Sequence, residues 1–166
     1  MKHIALIFFI IIAILGLSGD IYLGVGTDFD VTTLNNNAEW LYTYPFTQID
    51  FGPITANGYF GYYDHKNSEY VFENAPDFNV GLNIKLPFWI IFLRTQGTAS
   101  IEEIIDIAKG DKHMTTAWLD TKISIGLEYS YFFIEGGLKT RLEFDNASAY
   151  NPLKNGDPYF MLGAVF

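Results

Sequence analysis

From Phe78 to Leu86 the chain reads Phe-Asn-Val-Gly-Leu-Asn-Ile-Lys-Leu, with an apolar side chain at every even position. A period of two belongs to a β-strand with one greasy face. The same alternation returns in Lys122 to Tyr129 and in Ile134 to Phe144, where a helix would scatter the charges all round its surface. Extended along the chain, the pattern predicts eight strands, at about 21–31, 40–51, 54–64, 78–86, 89–99, 118–130, 133–144 and 158–166.

The connections fall into two classes. Gly52-Pro53, Pro87-Phe88 and Tyr131-Phe132 are very short, whereas Thr32 to Glu39, His65 to Asp77, Ser100 to Ala117 and Asp145 to Asp157 are long and polar. Short and long alternate strictly, and the strand number is even. The fold class expected is therefore all-β: an eight-stranded antiparallel up-and-down barrel with both termini at one end. The second strand leaves two readings open. Gln48 and Asp50 share a face with Trp40, Tyr42, Tyr44 and Phe46, so either a bulge near Pro45 flips the register or aromatics line the upper lumen. Tyr22, Tyr59 and Tyr63 could face the same space, as interior packing or as a route for small apolar molecules.

Alternation alone does not say which face is inside, because a water-soluble lipocalin-like barrel has the same period with the opposite sense. Three features favour the polar phase inside. The short turns are apolar, as in Leu86-Pro87-Phe88-Trp89 and Tyr131-Phe132-Phe133, which suits a membrane interface better than water. Gly24, Gly26, Gly61, Gly81, Gly126, Gly137 and Gly163 lie on the polar phase, against Gly58, Gly97 and Gly136 on the other, as a crowded eight-stranded interior requires. The third is the terminal strand, where Phe160, Leu162 and Phe166 share the apolar face and the sequence closes on an aromatic residue.

With that sense, the lumen receives the acids Asp28, Asp30, Asp50, Glu128, Glu135 and Glu143 and the bases Lys85, Arg94, Lys122, Lys139 and Arg141. Near-balance in a space where isolated charge is expensive predicts a packed salt-bridge network, not a wide pore. Outside it, acids dominate, with Lys66, Lys109, Lys112 and Lys154 as the remaining bases. Loop carboxylates such as Glu69, Glu73, Glu102, Glu103 and Asp106 read either as solubilising chemistry or as a field that steers cations or a basic partner. Nucleic acid is disfavoured as a partner.

The first residues carry a different pattern. Lys2 and His3 precede an unbroken apolar run from Ile4 to Leu15, and Gly16-Leu17-Ser18-Gly19 supplies small residues before Asp20. That order matches a cleaved secretory signal, and the run is too short to span a bilayer as a helix. Residues 1–19 are thus expected to be a signal peptide and residues 20–166 a single barrel domain of about 147 residues, with 9 bases against 19 acids and a net charge of about −10. The chain has no Cys, so neither a lipid-anchored cysteine nor a disulfide is expected.

Chemistry-bearing motifs are sparse. Ser100 and Glu103 stand at capping-box spacing and Gly110 at a helix-ending position, which predicts a short helix in the third long connection. Its Ile101, Ile104, Ile105 and Ala108 share one face, to pack on the barrel rim or lipid, or to serve as a lid or partner-binding helix. His65 has Asp64 and Ser68 nearby, but no third group held by the scaffold, and a metal set drawn from Asp64, His65, Asp111 and His113 would span two separate connections. No catalytic residue, metal or cofactor is expected.

An exported chain with eight alternating strands, short and long connections in turn, and the terminal Phe166 resembles the small outer-membrane barrels of the OmpA/OmpX type, with OmpW-like relatives as an alternative. The likeness covers the mature chain as architecture and not as sequence motifs. It implies a transmembrane, porin-like barrel in the bacterial outer membrane, with short periplasmic turns and long extracellular loops. Phe160, Leu162 and Phe166 would then be the signal read by the barrel assembly machinery. The resemblance further implies a monomer in outer-membrane lipid whose acidic loops adhere to a host or surface protein or a ligand. The alternatives it carries are a narrow channel for small hydrophobic solutes and, less fittingly, a lipid-modifying enzyme.

Overall fold

The computed structural model describes residues 19–30, 39–111, 113, 117–144, 151 and 155–166. Eight strands run in order, β1 (Gly19–Asp30), β2 (Glu39–Phe51), β3 (Ile54–Asp64), β4 (Glu69–Phe88), β5 (Ile91–Ser100), β6 (Trp118–Tyr129), β7 (Phe132–Glu143) and β8 (Asp157–Val165), with helix α1 (Ile101–Lys109) between β5 and β6. Each strand pairs antiparallel with the next and β8 pairs with β1, giving a closed eight-stranded barrel. At the end that holds Gly19 and Phe166, the backbones of Ile21 and Phe166 exchange two hydrogen bonds of 3.0 Å and close the seam. The expected leader except Gly19, the first long connection except Glu39, and most of the last connection lie outside the described residues; Gly19 and Glu39 begin β1 and β2.

The polar phase is inside. On β4, Leu82 is 65% exposed while its neighbour Asn83 is 3% exposed. Along β5, Phe92, Arg94, Gln96 and Thr98 are buried and Ile91 and Leu93 exposed. This is the reverse of a lipocalin-like barrel. Glycines sit where that geometry needs them. Gly24 and Gly163 face each other across the β1–β8 seam, and a β-carbon on either would run into the carbonyl of Leu162 or Leu23 opposite. On the outer phase, a β-carbon at Gly97 would meet open space.

Several boundaries differ from expectation. The second and third short turns are Trp89-Ile90 and Ser130-Tyr131, not Pro87-Phe88 and Tyr131-Phe132. Trp89 (φ 63°) and Ser130 (φ 55°) take the left-handed conformation that such turns demand, although neither is the Gly, Asn or Asp that would announce it. Pro87 meanwhile sits inside the strand pair opposite Phe92.

The larger correction concerns His65 to Asp77. It is a four-residue turn followed by the first part of β4, which begins at Glu69 and not near residue 78. Asp64 builds the turn: its Oδ1 accepts from the Lys66 and Asn67 backbone N–H groups at 2.9 and 3.1 Å, and its Oδ2 from Asn67 Nδ2 at 2.8 Å. These bonds, led by the one from the Asn67 backbone, hold its carboxyl below the usual carboxylate range. Beyond the turn, Tyr63 pairs with Tyr70 and Gly61 with Phe72, and a bulge before Asp77 absorbs the Pro76 region.

In β2 the phase holds against β1 from Asp50 to Tyr42, where Tyr42, Tyr44, Phe46, Gln48 and Asp50 pair with Asp28, Gly26, Gly24, Tyr22 and Asp20; beyond it a shift between Asp28 and Phe29 sets Trp40 opposite Phe29, and Trp40 is exposed and not part of the lumen lining. The irregularity near Pro45 appears only on the β3 side, between Thr43 and Thr47. The upper lumen is therefore lined with aromatics. Helix α1 has its expected caps, with Ser100 Oγ accepting from Glu103 N at 3.1 Å and Gly110 left-handed at φ 83°. Its Ile101, Ile104 and Ile105 are exposed and not packed on the rim.

Replacing Gly163 by Ala should strain the seam by about 1–3 kcal/mol or more, seen as loss of the compact band of unheated protein on a detergent gel. Gly97→Ala should keep that band, and equal behaviour of the two variants would deny the close approach at the seam.

Candidate functional site

The lumen divides into a filled floor and an open cup. The floor is organised around Arg94 of β5, which is 2% exposed. Its Nη1 donates to Glu135 Oε2 of β7, and its Nη2 donates to Asp50 Oδ2 of β2 at 3.4 Å, so one guanidinium ties three non-adjacent strands across the barrel. The plane is held between the rings of Tyr22 and Phe92, whose centroids lie 4.6 and 4.9 Å from its central carbon.

Both carboxylates are further satisfied. Glu135 Oε1 accepts from Tyr159 Oη at 2.7 Å and Ser124 Oγ at 2.9 Å. Asp50 accepts from Thr55 Oγ1 at 2.7 Å, Asn83 Nδ2 at 2.9 Å and Gln48 Nε2 at 3.0 Å. A buried charge is tolerable when partners satisfy it, and those of the two carboxylates come from six strands, although Arg94 Nε and Asn83 Oδ1 are buried without a hydrogen-bond partner among the described residues.

Nearer the termini, Lys85 Nζ donates to Glu128 Oε2 at 2.6 Å, Tyr22 Oη at 2.7 Å and Asp20 Oδ2 at 3.4 Å. Phe133 and Phe46 close the remaining space: the Phe133 ring packs edge-on against Tyr22 at 5.0 Å and against Phe46 at 6.0 Å.

Above the floor, toward α1, lies a cavity of about 750 Å³. Its two sides differ in chemistry. Tyr42, Tyr44, Phe46, Tyr59 and Tyr62 line it from β2 and β3, while Trp118, Lys122, Lys139 and Arg141 line it from β6 and β7. Lys139 donates to Asp28, which also accepts from Tyr44 Oη at 3.2 Å. Arg141 stacks over Trp118 at 3.7 Å and donates to Asp120 Oδ1 at 3.3 Å. Lys122 lies directly opposite Lys139 in the β6–β7 register, with its Nζ 5.4 Å from the centre of the Tyr159 ring.

The residues singled out from sequence thus separate. Asp28, Asp50, Lys85, Arg94, Glu128, Glu135, Lys139 and Arg141 enter ion pairs inside the barrel or at its upper rim. Glu143 is exposed at the top of β7, and the side chain of Asp30 is outside the description. Asp20 and Asp120 complete two of the pairs without having been singled out, although both share the inward phase of recognised members, Tyr22 and Lys122.

Among the loop carboxylates, Glu102 and Asp106 are exposed on α1. Glu69 is exposed too, but it belongs to β4, as does Glu73, whose side chain is not described. Glu103 is not a surface group: it is 5% exposed, and its Oε1 accepts from Trp118 N at 3.3 Å. Phe160, Leu162 and Phe166 share the outer face of the last strand, and the Phe166 ring lies 6.3 Å from that of Tyr131. His65 does not assemble with Asp64 and Ser68 into a catalytic set, because Asp64 is committed to its turn and His65 Nε2 lies 2.8 Å from Thr43 Oγ1. No group of three or more metal-ligating side chains occurs among the described residues.

No family model, curated protein or solved structure matches the chain.

Arg94→Leu should destabilise the barrel by about 3–5 kcal/mol in a urea titration, because it strands two buried carboxylates. Adding Asp50→Asn and Glu135→Gln should restore most of that loss. A single variant within about 1 kcal/mol of the parent would remove Arg94 from its central place.

Proposed function

We propose that this protein is a non-conducting outer-membrane surface barrel, exported by its N-terminal signal, which works by binding at its upper end. The observation that carries the reading is the filled floor. Arg94, Asp50 and Glu135 meet inside the lumen and are 2%, 5% and 1% exposed, which supports a barrel sealed along its axis.

The membrane assignment is supported by the sense of the barrel. Leu82, Ile125 and Leu162 belong to an apolar outer face whose exposure to water would be costly, and apolar outside with polar inside is the arrangement lipid requires. Exposed aromatics gather at both edges of that face, with Phe88, Trp89, Tyr131 and Phe132 at the end of the termini and Tyr70 and Phe72 at the other. Such girdles suit the two membrane interfaces. The short turns would face the periplasm, and Glu69, Glu102 and Asp106 would stand outside the cell.

Planar-bilayer recording separates this reading from a channel for small hydrophobic solutes, which the aromatic side of the cup favours. A sealed barrel should give only rare, small events, and steady openings would overturn it. For the membrane assignment, Leu82→Arg or Ile125→Arg should cost about 2–4 kcal/mol on unfolding from lipid. On a water-exposed face the same changes would be within about 0.5 kcal/mol of neutral, and that result would overturn the lipid-facing assignment.

A further inference from the structure

The cup above the floor has a chemistry that neither acidic loops nor a sealed barrel requires. Its β2 and β3 side is aromatic and its β6 and β7 side cationic, and in an eight-stranded barrel those strand pairs lie across the lumen from one another. The carboxylates on its wall are Asp28, Asp120 and Asp157. Asp28 pairs with Lys139 and Asp120 with Arg141, and Asp157, at the start of β8, faces Lys139 in the β7–β8 register. Lys122 makes no ion pair among the described residues: its ammonium rests over the Tyr159 ring, and the facing residue on β7 is another lysine.

A like-charged pair in direct cross-strand register is unfavourable unless anions serve both members. The ion pair that Asp28 makes is with Lys139, and Lys122 is left with carboxylates at longer range. A second donor on the wall is also unused, since Asn57 Nδ2 is buried without a hydrogen-bond partner among the described residues. Buried donors in this state cost free energy, and an acceptor brought by a ligand relieves it.

We propose that the cup is a binding site for a small amphipathic monoanion of the aryl-carboxylate class. The carboxylate pairs with Lys122, and Asn57 supplies a further donor. The apolar body lies among Tyr42, Tyr44, Phe46, Tyr59 and Tyr62. A volume of about 750 Å³ accommodates a ligand of that size, and aromatic walls with a few convergent polar groups are the usual make-up of such pockets. The floor beneath means that the ligand enters and leaves from the top. In that one respect the site rests on the proposed sealed barrel.

The test is calorimetric titration of the refolded barrel in phosphatidylcholine nanodiscs with 4-phenylbutyrate, and with 4-phenylbutyramide as the neutral isostere. The carboxylate should bind saturably at one per barrel, with the amide at least about tenfold weaker, the loss expected for one charged hydrogen-bonded contact. Lys122→Gln should cost the carboxylate a similar factor and leave the amide unchanged, while Lys122→Arg should retain carboxylate binding. Equal affinity of wild type for carboxylate and amide, or no saturable binding of either, would overturn the proposal. That comparison needs no variant, so it decides even if Lys122→Gln does not fold. Bilayer recordings stand apart: steady conductance with selective carboxylate binding sinks the sealed barrel only, and a silent barrel that does not bind sinks the cup only.

Discussion

Closing eight strands into a barrel leaves an interior just wide enough to be filled by side chains, and everything inside this protein answers to that constraint. The inward phase carries charges beside Phe46, Phe92, Phe133 and Met161, so hydrocarbon fills only part of the space. The space must be occupied by groups that satisfy one another. Arg94 is the residue on which this depends, because only a planar, multiply donating cation reaches carboxylates on β2 and β7 together while stacking between two rings. Where the network is bulky, the neighbouring strand gives room. Gly126 stands beside Phe92, and a β-carbon there would collide with that ring.

Much of this was legible from a period of two. Alternation locates the strands and their faces, and the placing of glycine on the polar phase identifies that phase as the crowded one, as Gly24 and Gly163 at the seam demonstrate. What alternation does not carry is pairing across the lumen. Arg94 and Glu135 are 41 residues apart and Arg94 and Asp50 are 44, separations set by closure and strand register and not by local spacing. Asp20 and Asp120 escape notice for a related reason. Near strand ends an acid looks the same whether it solvates a rim or completes an inward pair.

The early part of β4 escapes for a different reason. Its Glu69 to Asp77 stretch contains a proline and three acids, which read as a loop. The hairpin forms because Asp64 supplies the turn and because Tyr63, Tyr70 and Phe72 stack along its face, with Tyr63 and Tyr70 centroids 4.8 Å apart. Aromatic cross-strand contact outweighs weak local propensity. The turns at Trp89 and Ser130 make the same point, since closure imposes a left-handed residue where local chemistry gives no sign of one.

The two ends of the lumen are therefore unlike in kind. The floor spends its charges internally, whereas in the cup Lys122 has no ion pair among the described residues and faces an aromatic wall. The surrounding surface is acidic, with Glu69, Glu102 and Asp106 exposed toward that end, and an acidic rim opposes the entry of anions. That opposition has short range, because exposed charges are screened over about 8 Å at physiological ionic strength. It grows with the charge of the ligand, while burial of an apolar body adds favourable free energy in proportion to its area. A polyanion bears the repulsion several times over and gains little inside. A monoanion with a large apolar body bears it once and gains both the lysine and the tyrosines, so the acidic rim and the cationic wall act together as a filter for amphipathic monoanions.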